Sequence, residues 1–396
     1  MDAGNIAWMI TASALVLFMV PGLALFYGGM VNSKNVVNML MMNVVTIPIA
    51  TIIWVVVGYS LAFGASVGDL GIIGNLDKVG LAGLGDEETL FSVFQMMFAV
   101  ITPALIAGAV AGRMKFASWV IFAALWSLLI YPVVAHWGFA GDGLLYSWGI
   151  RDFAGGLVIH VNSGVAALAL IRVLGPRQDF GVEHPPHSLP LTLIGTGILW
   201  FGWFGFNAGS ALAADGAAIT ALLNTQVGAS LGAFGWMVSD WTRHRRPTLL
   251  GLVSGAVAGL VAITPAAGFV SPSAAIVIGA AGGYICSLVV GLKEKFGYDD
   301  SLDVVGIHMV GGVIGGVLTG VFSSVAYGEF DGLIYGGVGF FGKQVAGVLA
   351  VIVFTFVATW ILAKILDRTI GLRAAREDEI IGLDIAQHGE DAYWIR

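Results

Sequence analysis

The sequence predicts an all-α integral membrane protein with eleven transmembrane helices, built as two inverted five-helix repeats and an eleventh bracing helix. Three observations carry that prediction. Apolar residues fill 58% of the 396 positions and charged residues only 11%, against about 25% charged in ordinary globular domains. The apolar residues gather in runs near the roughly 20 residues a helix needs to cross a bilayer. An aspartate followed eight residues later by a histidine recurs at the start of two such runs, in DFAGGLVIHVNSG (152–164) and DDSLDVVGIHMVGG (299–312).

The N-terminus, MDAGNIAWMI, lacks the basic segment of a signal peptide and leads directly into span 1, at 7–30. Span 2 covers 37–63. The connection 64–90 carries Asp69, Asp77, Asp86, Glu87 and Glu88 against Lys78, and reads either as a solvated loop or as a mild attractor of cations. Spans 3, 4 and 5 follow at 91–111, 117–136 and 153–173. Spans 6 to 9 fall at 189–213, 218–241, 248–267 and 274–291, and spans 10 and 11 at 303–324 and 343–366. The transmembrane region is therefore 1–366, with repeat one at about 1–175, repeat two at about 188–325, span 11 apart, and a tail at 367–396.

Composition supports helices that pack closely in lipid. There are 57 glycines, and Gly251, Gly255 and Gly259, like Gly312, Gly316 and Gly320, recur at every fourth position. Small residues let backbones approach where lipid gives no hydrophobic drive for association. A single cysteine, Cys286, excludes an internal disulfide and a cysteine-based metal cluster. No HExxH, P-loop or Rossmann pattern occurs in its required context. The sequence thus calls for no catalytic residue, metal or cofactor and no nucleic-acid partner.

Orientation follows from Lys and Arg. Lys34, Arg113, Lys115, Arg172, Arg177, Arg243, Arg245, Arg246, Lys293 and Lys295 follow odd-numbered spans. Lys364, Arg368, Arg373, Arg376 and Arg396 end the chain, so fifteen of the 18 cations share one side. Lys78, Arg151 and Lys343 take the other. The N-terminus is expected outside, and the tail in the cytoplasm, of a plasma (inner) membrane.

Five spans followed by five more force the second set to be inverted, a recurring transporter design with its site near the bilayer midplane. His160 enters from outside on span 5 and His308 from inside on span 10. Eight residues of helix rise about 12 Å, so the two imidazoles approach the centre from opposite faces. Intramembrane histidines point to function, and each neutral ring has one donor and one acceptor nitrogen. The alternative is a pair that only satisfies itself in a packed core. The remaining histidines read as ordinary: His184, His187, His244 and His388 in solvated loops or the tail, and His136 at a span end near the interface.

Taken in order, several stretches resemble the ammonium transporter family (Amt/Mep/Rh), in its prokaryotic Amt-type form. They include VPGLALFYGGMVNSKNVVNML (20–40), FQMMFAVITPALIAGAVAGRMKF (94–116), DFAGGLVIHVNSGVAALA (152–169), WFGWFGFNAGSALAA (200–214), GIHMVGG (306–312) and GLDIAQHGEDAY (382–393). The resemblance implies a homotrimer with one substrate path per subunit, and it implies roles. His160 and His308 match the twin pore histidines. Asp152 matches the acid below the outer substrate site, acting as a helix cap, as a stabiliser of the cation or its departing proton, or as both. Asp300 or Asp303 would do the corresponding work at the inner end. Phe98 and Phe206 match two stacked rings that close the outer mouth, Ser210 would add a hydroxyl there, and Trp203 would shape the pore wall. One position departs: Phe139 stands where many members have a tryptophan in the recruitment site, with Trp137 close enough to substitute.

The function this implies is recruitment of ammonium outside, loss of a proton, and passage of ammonia between the histidines, with or without a separately moved proton. Methylammonium would serve as an analogue. The resemblance also implies docking of a trimeric PII signalling protein on inner loops 175–187, 242–247 and 293–301. Alternatives are an ammonium sensor with little flux, disfavoured by a tail of only about 30 residues, and an Rh-like passive ammonia channel. A haem-binding membrane enzyme is a third class, since paired histidines can ligate iron, but nothing else in the sequence supports it.

Overall fold

A computed structural model describes residues 2–182 and 185–393. His184 and Arg396, named above, lie outside the described residues. Eleven helices there are long and apolar enough to cross a membrane: Ala3–Met30, Ser33–Phe63, Asp86–Val110, Phe116–Ser147, Gly156–Leu174, Leu189–Gly209, Gly216–His244, Leu249–Ala266, Pro272–Val290, Val305–Phe322 and Val338–Thr369. They match the eleven predicted runs one for one. Among the described residues there is no strand beyond two isolated bridges, Ser66 to Gly74 and Met114 to Arg373.

Several boundaries move by a few residues, and two of the shifts bear on the candidate site. Span 3 starts early, with Asp86, Glu87 and Glu88 forming its first turn, where carboxylates complement the exposed amides of a helix N-terminus. Glu88 pairs with Lys78 and accepts the Tyr59 hydroxyl at 3.0 Å. The acidic loop is therefore shorter than the sequence suggests, and part of its charge is consumed. Span 4 bends at Ile130, ahead of Pro132, and its second half continues to Phe139. The AHWGF stretch thus closes a helix.

Glycine-to-backbone contact sets the packing. A Cβ on Gly195 of span 6 would stand 2.2 Å from the Phe26 nitrogen of span 1. A Cβ on Gly259 of span 8 would stand 2.2 Å from the Gly228 carbonyl of span 7, and one on Gly283 of span 9 would stand 1.9 Å from the Gly232 carbonyl. The second predicted ladder is split between partners: Gly312 faces Gly156 of span 5, whereas Gly316 and Gly320 face Val348 and Gln344 of span 11. Spans 3, 5 and 8 are the interior, with 83% of an 18-residue stretch buried in each, against 28% for span 2.

The tail folds back onto the connections that follow spans 1 and 3. Asp384 accepts from the amides of Val37 (3.0 Å) and Asn38 (2.8 Å), capping the start of the regular helix in span 2. The Lys115 amide donates to Leu372 at 2.9 Å, and the Ala374 amide donates to Arg113 at 2.9 Å. Three histidines depart from their ordinary reading. His388 meets Asn38 and the Phe116 ring, and His187 joins Val31 to Tyr393. His136 is fully buried, with Nδ1 against the Ala62 carbonyl at 2.9 Å, because span 4 runs on past it. His244 is exposed.

Candidate functional site

Asp152 sets the geometry of the rest. Its Oδ1 accepts from the amides of Gly155 (3.0 Å) and Gly156 (2.7 Å), and its Oδ2 from Leu157 (2.8 Å) and Val158 (3.0 Å). A helix leaves its first four amides without partners, and here one carboxylate satisfies four. Gly155 allows the approach: its φ is 106°, and a Cβ there would collide with the Ile159 side chain at 1.8 Å. The chain then winds through a π-helical turn, Gly156–Val161. The His160 amide donates five residues back, to the Gly155 carbonyl at 3.1 Å.

The inner counterpart repeats the device in lighter form. Asp300 accepts from Val304 (3.0 Å) and Val305 (2.7 Å). A second π-helical turn follows, Val305–Met309, and carries His308. Asp303 faces elsewhere and pairs with Lys293 at 2.6 Å. Of the two inner acids, Asp300 is the cap. Burial, helped by the neighbouring Asp303 charge, raises the Asp300 carboxyl above the usual carboxylate range. Single π-turns inside α-helices are rare and cluster at functional sites. Sequence periodicity gives no sign of them.

The two histidines meet Nδ1 to Nδ1 at 3.2 Å, with rings 21° apart. Only one nitrogen of that pair can carry the proton. One ring therefore has Nδ1–H and a bare Nε2, and the other has a bare Nδ1 and Nε2–H. Together they present one acceptor and one donor. The buried His160 Nε2 has no protein partner. Trp203 and Phe206 stack on the His160 ring at 5.3 and 5.8 Å, and the Trp203 indole is fixed by donating to Thr264 Oγ1 at 2.9 Å.

These groups line a cavity of about 10 Å³ whose other walls are almost all apolar, among them Leu23, Ile101, Leu105, Val257 and Ile307. Tyr27 joins the wall with its hydroxyl turned to the Leu105 carbonyl (3.1 Å). The sequence reading missed it, although it sits inside the quoted 20–40 stretch. Leu302 lines both this cavity and a wider one of about 690 Å³ bordered by Lys34, Asn35, Arg177, Lys293 and Ser301.

At the other end Phe98 and Phe206 pack edge to face, with centroids 4.6 Å apart and planes at 79°. The implied stacked arrangement is corrected here, since ring quadrupoles favour the edge-to-face contact. Phe139 lies 6.5 Å from Phe98. Ser210 sits one turn beyond Phe206 and donates to its carbonyl at 2.8 Å. Trp137 is not in this group. It donates to the Ile72 carbonyl at 3.0 Å and packs on Phe354. Two residues along a helix is a rotation of about 200°, so Trp137 and Phe139 face opposite ways.

Eleven spans around a small, largely apolar cavity that holds two coupled imidazoles define a multi-pass membrane protein with a buried polar site at its centre. A family model described as Ammonium Transporter Family matches residues 7–393, and the chain belongs to that family. It is a multi-pass membrane protein of that kind. The ammonium transporter of Bacillus subtilis (strain 168) is 48% identical over 405 residues, covering 99% of each chain. The crystal structure of Candida albicans Mep2 superposes with a TM-score of 0.91 at 36% identity, over 99% of this chain and 91% of that one. A sensor Amt protein of known structure superposes with a TM-score of 0.91 at 30% identity, over 97% and 98%.

Proposed function

We propose that this chain transports ammonium by removing its proton at the outer mouth and passing ammonia beside His160 and His308. The observation that carries the reading is the cavity of about 10 Å³, lined by almost wholly apolar side chains and by the two coupled imidazoles. That space fits about one water-sized molecule. Ammonium and potassium are alike in size and charge, so coordination separates them poorly, whereas loss of a proton separates them fully. Charge is costly at that depth, so the neutral amine is the species that passes.

In this reading ammonium, or methylammonium, meets the faces of Phe139 and Phe98 and the Ser210 hydroxyl, then passes the Phe206 ring. Asp152 acts as a fixed cap whose charge steadies the cation at a distance, since its oxygens are already occupied by four amides. The released proton passes to water at the outer mouth; ammonia then accepts from the Nε2–H of one imidazole, donates to the bare Nε2 of the other, and regains a proton from water beyond Leu302. Asp300 mirrors Asp152 at that end, which supports an inverted relation between spans 1–5 and spans 6–10. The cation bias supports an outside N-terminus and a cytoplasmic tail in a plasma membrane. A homotrimer, and a PII signalling protein seated over loops 175–187, 242–247 and 293–301, complete the proposal.

The test is current from proteoliposomes on a solid-supported membrane after an ammonium pulse, with potassium as control. A transient for ammonium alone is the expected result and means that the released proton also crosses, apart from the ammonia. Alkalinisation of a trapped dye without current means a conduit for neutral ammonia. Silence in both overturns transport in favour of a sensing role.

A further inference from the structure

Span 11 stands outside the two five-helix sets, yet it carries a buried polar face. Gln344, Thr355 and Thr359 are each fully buried. Thr359 accepts the Trp126 indole at 3.1 Å. The other two both grip span 5. The Gln344 amide pairs with the main chain of Arg151, accepting its N–H at 2.8 Å and donating to its carbonyl at 2.8 Å. Arg151 is the residue before Asp152. Thr355 Oγ1 donates to Asn162 Oδ1 at 2.8 Å, and Asn162 lies two residues after His160.

These contacts bracket the segment 151–162, which holds the capping acid, the π-helical turn and the histidine. Both join residues 193 positions apart, one to the loop just before span 5 and one to the helix after the π-turn. The Thr355 contact continues back along the chain. Asn162 Nδ2 donates to the Val158 carbonyl at 3.1 Å, and the Val158 amide donates to Asp152 Oδ2 at 3.0 Å. A chain of hydrogen bonds therefore runs from Thr355 to Asp152 across the π-turn.

A π-turn carries one residue more than an α-turn, and it persists only where its surroundings hold it. Relaxation to α-helix would rotate one end of the segment by about 100° relative to the other. A rotation of that size breaks the Nδ1 to Nδ1 contact. We infer that Gln344 and Thr355 are positioning residues that hold the π-turn, and so set the pairing of His160 with His308. Neither touches Phe98, Phe139, Phe206 or Ser210, so they act on passage and leave recruitment alone. This rests on the transport reading above.

Three variants of the full chain, reconstituted at measured protein density, test it. Thr355→Val keeps the shape and removes the donor. Thr355→Ser keeps the donor. Gln344→Met keeps the length and removes both hydrogen bonds. Thr355→Val and Gln344→Met are expected to lower the maximal ammonium rate about tenfold at an unchanged half-saturating concentration, with Thr355→Ser within about twofold of the parent. An experimental structure of Thr355→Val is expected to show the Nδ1 nitrogens beyond hydrogen-bond distance, a result that does not depend on transport. The inference is overturned by a Thr355→Val rate within twofold of the parent, by equal losses in Val and Ser, by half-saturation moving in step with rate, or by an intact imidazole pair. An inactive parent protein would instead sink the transport reading, and the structure of Thr355→Val would still decide this one.

Discussion

His160 and His308 are 148 residues apart in the chain, yet their Nδ1 atoms stand 3.2 Å apart and share one hydrogen bond. Each ring fixes the other's tautomer, so the state of each Nε2 follows from that of its partner. Loss of one ring leaves the other with a buried nitrogen lacking a partner and, on the proposed mechanism, removes one of two polar contacts for ammonia. His308→Ala is therefore expected to reduce the ammonium rate by roughly tenfold or more, about 1.4 kcal/mol of barrier, and to admit potassium. The check is the ratio of ammonium to potassium current in proteoliposomes. Undiminished rate and selectivity would remove the imidazole pair from the mechanism.

Asp152 makes a sharper structural prediction. An asparagine offers one acceptor oxygen where the carboxylate offers two, and its NH₂ would face two amide donors. A buried donor left without a partner costs about 1–3 kcal/mol. Asp152→Asn is therefore expected to destabilise the folded protein by several kcal/mol, read as a lower thermal midpoint in detergent. A midpoint equal to the parent's would mean that the four amides find other partners and that the cap is not structural.

The spans were legible because a bilayer demands runs of one length and one chemistry, and few soluble folds produce eleven of them. The paired imidazoles were legible for a related reason: Asp152 with His160 and Asp300 with His308 are ionisable pairs in places that exclude charge. What stayed hidden has no one-dimensional signature. A π-turn is invisible to a period near 3.6, so the register of His160 could not be read. Gln344 is one amide in a 32-residue helix, and only the fold brings it to Arg151. Trp137 and Phe139 were indistinguishable until the helix was seen to continue to Phe139, which turns them to opposite sides. The tail read as an extension because Asp384 contacts residues nearly 350 positions away.

Phe139 yields a prediction with a favourable sign. Its ring lies at the outer edge of the Phe98–Phe206 pair, and indole attracts a cation more strongly than benzene does. At an exposed site a whole cation–ring contact is worth about 0.5–1 kcal/mol, and the gain from indole is a part of that. Phe139→Trp is expected to lower the half-saturating ammonium concentration by up to about fivefold. Trp137→Phe, whose ring points to Phe354, is expected to leave it unchanged. Concentration series of the transient current separate the two. An effect of Trp137→Phe with none from Phe139→Trp would reverse the assignment.

The last prediction concerns pH and the inner mouth. Asp299 accepts from Arg177 three times, at the backbone N (2.7 Å), Nε (2.9 Å) and Nη2 (2.8 Å). Arg113 lies 3.8 Å from the same carboxylate, and its fully buried guanidinium also donates to Ser301 and to the carbonyls of Gly175 and Asp299. Burial draws Arg113 down to about 10, which leaves it charged at neutral pH. Burial also pulls the Asp299 carboxyl upward, but the Arg177 hydrogen bonds and the Arg113 charge outweigh that and hold it below its ordinary value. A carboxyl with a depressed folded pKa stabilises the fold fully above its unfolded value, near 3.9, and loses that contribution as pH falls through the folded value. Asp299→Asn strands a buried cation, a change worth about 3–5 kcal/mol at neutral pH. The gap between parent and variant is therefore expected to be wide at pH 7 and to close below about pH 4, as the parent's own carboxylate is protonated. Thermal midpoints in detergent across that range measure it. A gap of equal size at both ends would mean that packing alone holds Asp299, and that its charge contributes nothing to the inner mouth.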